Sequence, residues 1–151
     1  MPSLWNAADE AAIKSRIENL LPHSPRKWGT MSIDQMMRHL AIAYDSGAGI
    51  ITLPREKGIM GIMPHLKPAV WVMIHLMPWP KGLPTAESFL VPEKSSFDSA
   101  KQQLLDAIEH FKDAGAKGSF GEHPLFGKLS HEDWGVLLYK HTDHHLRQFG
   151  V

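Results

Sequence analysis

Seven of the eleven prolines lie between residues 51 and 96, and this clustering decides where long helices can run. Proline lacks an amide hydrogen and crowds the preceding helical turn, so no long regular helix passes through that stretch. On either side of it, apolar residues recur at helical spacing. From Asn6 to Leu21 the stripe is Ala8, Ala11, Ala12, Ile13, Ile17, Leu20 and Leu21. Asp9 and Glu10 fall in its first turn, where the helix dipole favours acids. Pro22 and Pro25 stop this helix.

Ser32 followed three residues later by Gln35 is a capping-box start for a second helix running to about Ile50. Its inward stripe is Ile33, Met36, Met37, Leu40, Ala43 and Tyr44. His39 lies about 100° to one side of Leu40 and so flanks that stripe. Ser96 or Asp98 caps a third long helix reaching about Ala114, with Ala100, Leu104, Leu105, Ile108 and Phe111 inward and Gly115 and Gly118 ending it. The last helix starts after Ser130, whose spacing to Asp133 is a weaker capping box, and extends to about Phe149. The reading is all-α: a four-helix bundle in a single domain, residues 1–151, with an elaborated proline-rich connection between the second and third long helices. Within that connection, Ala69 to Met77 (AVWVMIHLM) is apolar on nearly every side. It reads as a short helix or strand buried against the domain or another subunit.

Lys plus Arg number 16 and Asp plus Glu number 16, so the broad basic footprint of a nucleic-acid binder is missing. No apolar run reaches the roughly 18 residues of a membrane span, and MPSLWNAADE lacks the basic start and apolar run of a secretory signal. A cytoplasmic protein with neither nucleic-acid nor membrane partner is expected. Cysteine is absent, which removes thiolate ligands and a cysteine nucleophile. Any thiol chemistry needs a thiol from outside, and histidine becomes the chemical specialist.

In the last helix His141 and His145 are one turn apart and share the apolar face of Trp134, Leu137 and Leu138. One plain reading makes them core imidazoles with hydrogen-bond partners. Packing two unpaired imidazoles costs roughly a few kcal/mol of desolvation, whereas a metal uses both lone pairs. The pair therefore favours a divalent metal site.

Three segments carry a family resemblance: WGTMSIDQMMRHL (Trp28 to Leu40), HPLFG (His123 to Gly127) and HTDHHLRQFGV (His141 to Val151). With four long helices in compatible order, the chain resembles the DinB-like superfamily (DinB and YfiT type) of metal-dependent four-helix enzymes, which includes thiol-dependent S-transferases. It is most similar to a bacterial subgroup of that superfamily. The resemblance covers most of the chain. It implies a bundle of DinB type in which a histidine of the second helix joins the pair in the last, so that His39, His141 and His145 bind the metal.

Three neutral imidazoles leave a dication with an open position, as catalytic sites require, and zinc or nickel suits this donor set. The expected partners are a small-molecule substrate and a low-molecular-weight thiol or water activated for attack on an electrophile. The alternative is a non-catalytic small-molecule-binding bundle whose metal serves stability or ligand anchoring. His144 and Gln148 are candidates to support the ligands, and His123, before Pro124 in a loop, is a candidate for the pocket mouth. Trp71, His75 and Trp79 are candidate pocket walls, though such a run is more often core or interface. The apolar 69–77 segment needs a cover, and a homodimer would supply one.

Overall fold

The computed structural model describes residues 1–81, 85, 89–91 and 94–151. Helices account for the regular structure there: α1 (Ala7–Glu18), α2 (Ile33–Gly47), α3 (Lys67–His75), α4 (Phe97–Lys117) and α5 (His131–Gln148), with a 3-10 segment at Gly58–His65. No strand occurs among the described residues, the one β-type pairing being an isolated bridge between His123 and Gly127. None of the helices is long and apolar enough to cross a membrane.

The helix starts follow their caps. Ser32 accepts from the Gln35 amide while the Gln35 side chain accepts from the Ser32 amide, and Ser130 and Asp133 repeat this arrangement at α5. Asn6 caps α1 and Ser96, rather than Asp98, caps α4. Helix ends differ from the sequence expectation. Gly115 does not end α4, which continues to Gly118 in left-handed conformation at φ 64°. In α1 only Ile13 and Ile17 are buried, whereas Ala8, Ala11 and Ala12 are exposed. Alanine favours helix through its small conformational cost, so its presence in a stripe does not imply burial.

The core sits where α2 packs along α4, and α5 closes over both α1 and α2. Phe111 of α4 is fully buried between Trp5, Tyr44 and Trp134. Trp5 in turn lies in a slot made by two glycines. A Cβ on Gly135 would meet the Trp5 ring at 2.3 Å, and one on Gly115 would meet it at 2.5 Å. Glycine inside a helix costs about 1 kcal/mol relative to alanine, so here helix propensity gives way to packing. Gly135→Ala is expected to destabilise the protein by about 1–3 kcal/mol despite its better propensity, because Trp5 must leave its stack on Phe111 and its hydrogen bond to the His131 carbonyl. Urea melts decide the matter, and a gain in stability would refute the account.

The connection contains the 3-10 segment and α3, while residues 82–84, 86–88 and 92–93 of it lie outside the described residues. The apolar run 69–77 is helical as far as His75, burying Val70, Ile74 and His75 and leaving Trp71 and Val72 exposed, with Leu76 and Met77 exposed beyond its end. Lys140 of α5 secures its end by donating to the Ile74 and Met77 carbonyls at 2.7 and 2.8 Å. Beyond the least regular part, Val91 and Ser95 return to α2 through the Gln35 amide and the Asp34 carboxylate. That return brings Phe89 over His39.

Candidate metal centre

The crossing of α2 and α5 is set by a buried hydroxyl pair. Thr142 donates to the Leu138 carbonyl at 2.8 Å, so Tyr44 is the donor in its own 2.8 Å contact with Thr142. Arg16 of α1 pairs with Asp143 at 2.8 Å on the other side of α5. Held this way, His39 faces His141 and His145, and one ring nitrogen from each lies within 4.8 Å of the others. His39 and His145 are buried and His141 is partly buried. No carboxylate joins the group among the described residues.

Hydrogen bonds define which nitrogens are available. Gln148 donates its amide to the Trp28 carbonyl at 2.7 Å, which turns its Oε1 toward His145. The Nδ1–H of His145 donates to that oxygen at 2.8 Å, leaving Nε2 as the lone-pair nitrogen. His39 Nδ1–H donates to the Phe89 carbonyl at 3.0 Å, leaving its Nε2 free to face His141 Nε2 at 2.8 Å. Two of the three rings therefore have their lone pairs aimed inward by protein acceptors, the arrangement metal-binding histidines need.

Electrostatics point the same way. Burial pushes His145 down to about 3, with His39 and His144 adding to the shift and the Gln148 hydrogen bond opposing it. Burial also lowers His39, against its hydrogen bond to the Phe89 carbonyl, and lowers His141 well below 6.5 together with its histidine neighbours. All three are neutral imidazoles at pH 7, so no proton has to be removed before a cation binds. The donor set fits a divalent metal ion.

The other sequence candidates separate clearly. His144 lies 5.2 Å from the His145 ring and 5.7 Å from Trp28, on the wall of a cleft of about 380 Å³ beside the cluster. Trp79 sits 5.2 Å from His141 and lines the same cleft. Trp71 and His75 are not brought to the site. His75 bonds Asp133 at 2.7 Å in the first turn of α5, and Trp71 stacks on His75 with half its surface exposed. Asp133 is three turns from His145 along α5, roughly 18 Å. The run turned α3 toward the start of α5, a choice its own periodicity does not encode.

His123 belongs to a turn rather than to a pocket mouth. Pro124 has no amide hydrogen, and His123 Nδ1 accepts instead from the Leu125 and Phe126 amides at 3.1 and 3.2 Å. Its ring stacks on Phe126 at 4.6 Å, and Gly127 closes the turn at φ 69°. Sequence reasoning missed the carbonyls of Phe89 and Trp28, because main-chain acceptors carry no residue-type signal.

Burial holds His123 at about 3. An unfolded histidine takes up a proton near 6.5, whereas His123 in the fold does so only near 3. Between these values the unfolded chain binds more protons, so stability is complete above 6.5 and is lost as pH falls toward 3. The metal-free protein is expected to lose up to about 1.4 kcal/mol per pH unit for each such histidine between pH 6.5 and 5, above the range where carboxylates titrate. Unfolding midpoints that stay level from pH 7 to 5 would contradict this.

An all-α protein with a three-histidine cluster able to hold a metal ion is thus defined by fold and site together. The chain matches the family DUF1569, described as a protein of unknown function, over residues 3–150. It belongs to that family, which is of the DinB/YfiT-like kind. Searches of curated proteins and of solved structures returned no match.

Proposed function

We propose that this protein is a metal-dependent enzyme of the DinB-like superfamily, in which His39, His141 and His145 hold zinc or nickel and a low-molecular-weight thiol or water attacks a small electrophile. The observation that carries the proposal is the convergence of three neutral imidazoles, two of them oriented by the Phe89 carbonyl and by Gln148. When bound there, a divalent ion supplies Lewis acidity and lowers the pKa of a thiol or water. The chain's own residues bind and shape. Trp79 covers one side of His141, and His144 stands at the mouth, where burial lowers its pKa and keeps it neutral. With no cysteine in the chain, the thiol is a cosubstrate.

The test compares wild type with His141→Ala for metal content and for transfer from a panel of low-molecular-weight thiols, or hydrolysis, on small electrophiles. Turnover by the wild type that disappears with the metal supports the proposal. Equal turnover by a metal-free variant refutes it. Tight ligand retention without turnover would favour instead a non-catalytic binding bundle, a reading supported by the cleft beside the cluster. Exposed Trp71, Leu76 and Met77 support the expected self-association as a homodimer, which light scattering reads.

A further inference from the structure

The cleft beside the cluster has a chemical character that the whole chain lacks. The sequence balances 16 basic against 16 acidic residues, yet this cleft is lined by Lys27, Lys81 and Arg147 with no Asp or Glu among its described walls, and Val151, which also lines it, is held by Arg16 through its main-chain oxygen at 3.0 Å. Neither lysine has a carboxylate partner among the described residues. Lys81 instead lies over the Trp28 ring at 4.7 Å, while Lys14, Lys101 and Lys112 are paired with glutamates. Arg147 shares Asp143 with Arg16, so that carboxylate is divided between two guanidinium groups. Cations gathered in a concave site with few acidic groups about them raise the local concentration of anions.

The same walls connect to the histidines. Trp28 and Trp79 provide two aromatic faces, and Trp79 lies 5.2 Å from His141 and 6.1 Å from His144. The Lys27–Trp28 segment is anchored to the end of α5 on both sides of Gln148. The Lys27 amide donates to the Gln148 carbonyl at 2.8 Å, and the Gln148 side chain donates to the Trp28 carbonyl at 2.7 Å. Gln148 is also the residue that orients His145, so the cleft wall and the cluster share one support.

We propose that this cleft is a binding subsite for a small organic anion, a carboxylate or phosphate monoester carrying a flat or apolar body. Lys27, Lys81 and Arg147 take the anionic end, and Trp28 and Trp79 flank the body. Its volume of about 380 Å³ suits a small metabolite. The inference deepens the proposed function by giving the substrate or thiol cosubstrate an anionic group, and it rests on that reading only for the link to chemistry.

Calorimetric titration with phenyl phosphate, benzoate, benzyl alcohol and inorganic phosphate tests it on wild type, Lys27→Glu, Lys81→Glu and His141→Ala. Phenyl phosphate or benzoate should bind wild type, and which binds tighter identifies the anion. Benzyl alcohol should not bind, and inorganic phosphate should bind more weakly than phenyl phosphate for want of a body to stack. Each charge reversal at these exposed lysines should weaken binding about tenfold or more. Affinity should fall as salt rises. His141→Ala should keep the anion affinity, so loss of metal and loss of the subsite register separately. Absence of binding to wild type, or affinity unchanged by both charge reversals, would overturn the subsite whatever the metal result.

Discussion

His145→Ala is expected to lower zinc or nickel affinity by more than about 100-fold, the upper range for losing merely a supporting group around a metal ligand. The ring it removes is buried, neutral and oriented, with Nδ1–H on Gln148 and the other nitrogen facing His39 and His141. Two imidazoles would remain, too few for the closed or three-ligand sites that hold these ions firmly. Competition with a chromophoric chelator measures the affinity. A melt supplies the second reading: at a metal concentration about 100 times its dissociation constant, wild type should gain about 2.7 kcal/mol, and the variant should gain none. The variant also leaves Gln148 Oε1 without its donor, worth about 1–3 kcal/mol, so both proteins are compared with their own metal-free forms. Wild-type affinity in the variant would remove His145 from the site.

Gln148→Leu should reduce metal affinity by about 10–100-fold although residue 148 is not proposed as a ligand. Leucine fills similar space but accepts nothing, so His145 Nδ1–H loses its partner and the ring its fixed orientation. A second variant reaches the same support from outside. Gly29 has φ +80°, and a Cβ there would lie 2.4 Å from Gln148 Nε2. Gln148 can swing away from Gly29→Ala, but only by giving up the Trp28 carbonyl and with it the orientation that presents Oε1 to His145. The left-handed backbone adds roughly 1–3 kcal/mol of strain for a residue with a side chain. Both variants should therefore weaken the metal, and Gly29→Ala should also melt lower. Unchanged affinity in Gln148→Leu would show that His145 is positioned without it.

Much of this was legible before any fold was known. Ser32 with Gln35 and Ser130 with Asp133 mark helix starts because a cap is satisfied within four residues. Met36, Met37, Leu40 and Tyr44 could be placed inward from period alone, and all are buried. Ala8, Ala11 and Ala12 misled the same reasoning, since a methyl group tolerates either side of a helix. In the sequence Trp71, His75 and Trp79 read as one run of candidate pocket walls. The structure divides them, with Trp79 on His141 and His75 on Asp133.

Residues four apart are neighbours in any α-helix, so the spacing of His141 and His145 alone puts them on one face. The composition likewise leaves no cysteine to compete with them. The meeting of His39 with the pair, across 102 residues of chain from His141, and the orientation of its ring by the Phe89 carbonyl, 50 residues from His39, arise from the folding of distant segments together. The chain of hydrogen bonds through Trp28, Gln148 and His145 has the same origin. Helical geometry is local and repeats along the backbone. The meeting of α2, α5 and the returning connection depends on how buried faces pack together, and no residue spacing within one segment records it.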